Sequence, residues 1–347
     1  MPIEPQRTLD LYPIDYPFET LVTRITAKEP KLILNPEFQR KYKWDKEGWG
    51  RASKFIESCL MRIPLPSCYF AEDEQGRHVV IDGVQRLTTV LRFFQDEFAL
   101  EGMTAFRELE NKRFSQLGDL RAELEATTIR CIVLRKSNSK PIVREIFSRL
   151  NQGAVALSDQ EIRHALFPGL FDDLLTELAQ LPAIANFGRG PASTVEKDSR
   201  EGDQQVLRYF AFRGSLDGYD GRRLGKFLDE VMESKATATP EEIETLREDF
   251  ASSLARCIEV FGDDTFIDTS KDRARQSMVY YDLLMHSLSD LSDDKVKKKK
   301  KKSIREAFTK LCASPEFQKT LSGGLQNKSS IERRRVIWGT LLAKALR

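Results

Sequence analysis

Five consecutive residues, Asp82-Gly83-Val84-Gln85-Arg86, carry the strongest chemical signal in this chain. A short apolar run, Val79 to Ile81, leads into them, and the apolar positions after them, Leu87, Val90, Leu91 and Phe94, recur at helical spacing. A strand turning through Asp-Gly into a helix gathers backbone N–H groups at one exposed point, the usual way a protein holds a phosphate. In that arrangement the N–H groups and Arg86 take phosphate oxygens, and Asp82 with Gln85 orients a water, a ribose hydroxyl or Mg2+. The same residues also read as an ordinary helix start, with Asp82 as N-cap and Gln85 completing a capping box.

Two further segments have functional potential. Phe38-Gln39-Arg40 with Tyr42 and Trp44 mixes basic and aromatic residues without a regular period. Such a loop can stack on a base and contact phosphate, or simply anchor itself on its aromatics. The third segment runs Phe147-Ser148-Arg149-Leu150-Asn151-Gln152-Gly153, then Leu157 and Gln160-Glu161-Ile162-Arg163. Asn151, Gly153, Ser158 and Glu161 have capping roles. Arg149 and Arg163 are not needed for capping, so they carry the functional signal.

The elements that must position these residues mix short strands with helices up to about residue 170, an α+β pattern rather than a βαβ repeat. A helix is expected over Phe18 to Ile25 and a strand over Leu32 to Leu34. Asp45 is expected to cap the next helix, and a hairpin to join Cys68–Phe70 with His78–Ile81. The central helix reads to about Phe98, followed by a strand over Thr128 to Leu134 and a helix through Val143 to Leu150. From Phe171 on only helical patterns recur. Thr239-Pro240 with Glu242, and Ser329 with Glu332, mark two helix starts. The chain therefore reads as two domains, 1–170 and an all-helical 171–347.

Composition narrows the class. At 347 residues, with 40% apolar and 31% charged content, the chain has material for a substantial core. No apolar run reaches a membrane span, and the first residues lack a signal-peptide pattern. Five scattered cysteines without a Cys-x-x-Cys pair argue against disulfides and structural zinc, and suit a reducing cytoplasm. The net charge of +2 includes six lysines, Lys297 to Lys302; setting them aside leaves −4, so any nucleic-acid surface is local. The lysine block itself reads as a solvated, mobile segment, with a contact to DNA phosphate as the alternative. Arg333-Arg334-Arg335 stays open between a surface stripe and a phosphate contact.

Asn35-Pro36-x-Phe38-Gln39-Arg40-x-Tyr42-x-Trp44, the Ile81-to-Thr89 segment, and Phe147-x-Arg149-Leu150-Asn151 through Arg163 occur in one order and spacing. Together they resemble the family that supplies the N-terminal part of GmrSD-type restriction enzymes, related to ParB and sulfiredoxin and widespread in bacterial phage defence. The resemblance implies a ParB-like α+β domain that binds or hydrolyses a nucleoside triphosphate, coupled to DNA recognition or cleavage; Mg2+ enters only as one of the groups that Asp82 could orient. The family hallmark Asp-Gly-Gln-Gln-Arg falls on Asp82, Gly83, Gln85 and Arg86, with Val84 where the first glutamine stands. Asp82, Gln85 and Arg86 then form the catalytic set. Gln39, Arg40, Tyr42, Trp44, Gly83, Thr88, Arg149, Asn151 and Arg163 bind the nucleotide. The three histidines, His78, His164 and His286, form no His-Asn-His nuclease motif. The expected protein is a cytoplasmic nucleotide-binding defence module acting on DNA, as an NTPase linked to nuclease activity. The alternative is a non-catalytic DNA-binding or sensor subunit serving a separate nuclease or ATPase. A homo-oligomer is compatible with either, and a membrane role with neither.

Overall fold

In the computed structural model, which describes residues 9–34, 42, 44–45, 48–150, 158–188, 200–271, 275–291 and 298–347, the chain divides into units Met1–Leu157 and Ser158–Arg347. The first unit is built on a five-stranded sheet in the order β1 (Leu11–Pro17), β5 (Thr128–Leu134), β3 (Cys68–Glu72), β4 (His78–Asp82), β2 (Leu32–Ile33). β1 runs antiparallel to β5, β5 parallel to β3, β3 antiparallel to β4, and β4 parallel to β2. Sequence reasoning missed β1 because Pro13 and Pro17 interrupt it. Those prolines are tolerated on an edge strand, where a missing N–H leaves no inner ladder bond unmade.

The expected β3–β4 hairpin forms, its turn held by Asp73 Oδ1 accepting from Gln75 N at 3.0 Å and Arg77 N at 2.8 Å. A register shift at Tyr69/Phe70 sets Tyr69 opposite Asp82 but Phe70 opposite Val80, a bulge at the end of β4. One sheet face carries α1 (Phe18–Thr26), α2 (Gly50–Leu60), α3 (Val84–Phe94) and α4 (Leu120–Ala126), which share its core. Ile129, Cys131 and Val133 alternate into that core along β5, and Leu87, Val90 and Phe93 enter it from α3. α5 (Lys140–Leu150) contacts β4, whose residues Val79, Val80 and Ile81 are all buried. α3 stops at Phe94 rather than near Phe98, because Asp96 turns the chain at φ 58° and Phe98 stacks on Trp49 at 4.3 Å. Asp45 caps nothing: α2 starts five residues later, and Asp45 pairs with Arg92 at 2.9 Å.

The second unit is helical: α6 (Asp159–Leu166), α7 (Leu170–Ala179), α8 (Pro182–Ala185), α9 (Glu201–Arg213), α10 (Leu224–Lys235), α11 (Pro240–Phe261), α12 (Met278–Leu288), α13 (Lys298–Ala313), α14 (Pro315–Lys319) and α15 (Lys328–Leu346). Among its described residues there is no strand, only the isolated bridge Ile267–Gln276. Capping boxes open α6 at Ser158 and α11 at Thr239, as their spacing predicts. Ser329 does not cap α15, which begins at Lys328 after Asn327. Lys297 lies outside the described residues. Lys298–Lys302 start α13 instead of forming a loose segment, with Lys301 paired to Glu259 at 2.5 Å and Lys300 donating to Leu346 O at 2.8 Å. Among the described residues no helix is long and apolar enough to cross a membrane.

Candidate functional site

The site is set by the passage from β4 into α3. Gly83 has φ 104°, a conformation that L side chains avoid, and a Cβ there would meet Cys68 Sγ at 2.4 Å. Glycine is therefore required on both conformational and steric grounds. Gly83 is also the N-cap: its carbonyl accepts from Leu87 N at 2.9 Å, and, being a glycine, it supplies no side-chain cap of its own. The capping box expected from Asp82 and Gln85 does not form. The helix starts one residue later than that reading requires, which puts Asp82 outside the cap and Gln85 at the second helical position. α3 thus opens on a residue without a side chain, with the electropositive end of its dipole at the turn.

Asp82 turns instead to Arg86, accepting from Nη2 at 2.6 Å. Arg86 also donates Nη1 to Pro66 O and Nη2 to Ser67 O at 3.3 Å, so its side chain is only 14% exposed. The arginine ties the start of α3 to the segment entering β3 while leaving Asp82, 35% exposed, at the surface. Cys68, beneath Gly83, is the register partner of Cys131 on β5. The Cys131 thiol's hydrogen bond, helped by the Arg86 charge, holds the Cys68 thiol below its ordinary value against burial, and the same bond pushes Cys131 up. Sequence reasoning missed this thiol pair and the Pro66–Ser67 carbonyls; the need for glycine after Asp82 is the signal that could have pointed to a close neighbour.

Tyr42 is brought to the same helix. Its hydroxyl donates to Thr89 Oγ1 at 2.7 Å, and Thr89 in turn donates to Gln85 O at 2.8 Å. Arg92 lies over the Tyr42 ring at 4.7 Å, and Trp44 and Trp49 pack beside it at 6.5 and 6.1 Å. Burial, partly offset by the Arg92 charge, pushes the Tyr42 phenol up to about 12. Trp44 packs on Phe55 at 5.6 Å with Arg51 over its face at 5.2 Å. Both aromatics are anchors of the unit. Thr88 points inward, 1% exposed, with no hydrogen bond to its Oγ1.

Arg149 sits in the last turn of α5, exposed, and pairs with Glu145 at 2.8 Å. Gln39, Arg40 and Asn151 lie outside the described residues. Arg163 belongs to the helical unit, where it is 1% exposed and clasps Asp229 at 2.8 Å, Gln160 at 3.1 Å, Gln204 at 3.3 Å and Gly225 O at 3.2 Å. A buried arginine satisfied in this way joins α6 to α9 and α10 and supports the helical core. The structure therefore gathers Asp82, Gly83, Gln85, Arg86 and Tyr42 around the first turns of α3.

Residues 18–168 match the family model described as GmrSD restriction endonuclease, N-terminal domain. No curated protein and no solved structure matches the chain.

Proposed function

Residues 18–168 are a GmrSD restriction endonuclease N-terminal domain, and from that premise we propose that the chain is a restriction-type phage-defence protein acting on DNA, with a nucleotide site at the Asp82–Arg86 turn. The observation that carries the site is the opening of α3 on Gly83 without a side-chain cap. The positive end of the helix dipole favours a phosphate there, and the absence of a Cβ at Gly83 lets the chain bend tightly enough for one to approach the backbone. The residues present fit a triphosphate's anionic end. Asp82, at the rim, is placed to orient a water or a ribose hydroxyl, and Arg86 holds the turn in shape.

Mg2+ fits this turn less well as a protein ligand. Asp82 is the one carboxylate of the turn and is already bonded to Arg86, and among the described residues no group of three His, Cys, Asp or Glu could hold a metal. An ion would have to arrive on the nucleotide's own phosphates, and no step is assigned to it.

Whether the nucleotide is cleaved separates two readings. NTP hydrolysis coupled to nuclease action rests on Asp82 and Gln85 as water-positioning groups. The non-catalytic sensor, serving a separate nuclease or ATPase, is favoured by Val84. That side chain packs against the core where the family hallmark has a glutamine. Phosphate release from ATP, GTP and CTP, with and without duplex DNA, tests the choice. Release lost in Asp82→Ala supports the enzyme; binding without release under any condition leaves the sensor.

A further inference from the structure

The fold divides the arginine run of α15. Arg333 is exposed and pairs with Glu316 at 3.1 Å, Arg334 is buried to 4% exposure, and Arg335 is half-buried. Arg334 and Arg335 line a shallow pocket with Val279, Asp282, Leu283 and Ile331; only about 10 Å³ of it is enclosed, and the rest opens to solvent. Among the described residues neither guanidinium has a carboxylate partner. Arg334 donates Nε to Ser330 O at 3.0 Å and Nη2 to Leu325 O, and Arg335 donates Nη2 to Phe212 O. Asp282 is already taken by Arg208, which donates to it from Nη2 and from Nε at 3.3 Å.

Three guanidiniums thus face one carboxylate between apolar walls, although charges withdrawn from water are ordinarily paired. Burial lowers both guanidiniums from their ordinary values. Burial, then the Arg335 and Arg213 charges, hold the nearby His286 down to about 4, so it stays neutral and adds no proton to the site.

We propose that this pocket binds a phosphate dianion, free or as a monoester, with Arg334 and Arg335 as its ligands. A guanidinium fork matches two oxygens of such a group, and Arg335 has N–H groups beyond the one spent on Phe212 O. Among the groups withdrawn from water, Arg208, Arg334 and Arg335 against Asp282, the excess is two positive charges, which matches a dianion of about −2; Glu332, which also acts on Arg335, is exposed and screened by solvent. With about 10 Å³ enclosed, the pocket takes no whole nucleotide, and the phosphate sits at its open mouth against the two guanidiniums. This site is independent of the reading of the Asp82 turn.

The test is thermal unfolding of the full chain in inorganic phosphate against chloride at equal ionic strength, for wild type, Arg335→Gln and Arg333→Gln. Wild type and Arg333→Gln are expected to gain about 3 °C at saturating phosphate, and Arg335→Gln to lose most of that gain. Should Arg335→Gln not fold, Val279→Asp, which places a carboxylate in the first turn of α12, replaces it and is expected to cancel the gain. An equal gain in the pocket variant, or none in wild type, overturns the proposal. Fluorescence anisotropy with duplexes bearing or lacking a 5′-phosphate distinguishes the source. Arg335→Gln should weaken only the phosphorylated duplex; equal weakening of both assigns the pocket to backbone diester and overturns the monoester assignment.

Discussion

At the scale of single residues, Gly83 and Arg86 define the candidate site. Gly83→Ala combines the cost of φ 104° with a Cβ driven into Cys68, and should lower stability by about 2–4 kcal/mol in urea unfolding. Gly76→Ala is the control: its φ is +74° but nothing lies within 4 Å, so only the strain of about 1 kcal/mol is expected. Equal losses in the two variants would mean that Gly83 is not pressed against the thiol. The passage from strand to helix at this turn was legible from its residue types, because Asp-Gly breaks a strand and helical spacing resumes directly after it. Its cap was not. A shift of one residue in the helix start exchanged the roles of Asp82 and Gly83, and no local pattern separates those registers. Nor could spacing reveal that Arg86 is held by carbonyls some twenty positions earlier.

At the scale of elements, α3 links the turn to the aromatic cluster through the Tyr42–Thr89–Gln85 relay. Tyr42→Phe removes the buried bond to Thr89 and should cost about 1 kcal/mol. The raised phenol pKa gives a second readout. The folded state keeps that proton up to about 12 while an unfolded tyrosine loses it near 10, so stability attributable to Tyr42 falls between pH 10 and 12. The difference between wild type and Tyr42→Phe should shrink over that window; a constant difference contradicts the burial assigned to the hydroxyl. In α12 the sign is the opposite. His286 is neutral when folded down to about 4 and protonates near 6.5 when unfolded, so its contribution is present above pH 6.5 and lost as pH falls toward 4. His286→Gln should flatten that acid limb. Helices with strong periodicity and capping boxes, such as those at Ser158 and Thr239, were readable in advance, whereas β1 was hidden by prolines that only its edge position makes tolerable.

At the scale of the whole molecule, the chain joins an α+β unit to a helical one, the two classes that the residue patterns indicated, with the division at Leu157/Ser158 rather than near residue 170. The roles within each unit were less legible. Tyr42 and Trp44 carry the composition of a base-stacking loop but serve as anchors beside α3, and the arginines near residue 334 declare themselves only once three helices bring them to one carboxylate. Thr239→Ala should weaken the helical unit by about 1 kcal/mol through its lost capping box, while leaving any nucleotide affinity unchanged. The central claim is that the start of α3 at Gly83 binds nucleotide phosphate, and Gln85→Glu tests it most directly. A carboxylate in the first turn favours the helix dipole, so the fold should hold or gain a few tenths of a kcal/mol, yet it repels a phosphate arriving at the same N–H groups. Calorimetric titration of wild type and Gln85→Glu with ATP, GTP and CTP should show at least one nucleotide binding wild type, and binding the variant roughly tenfold or more weakly. Equal affinity in the two proteins, or no binding by wild type, would contradict the account.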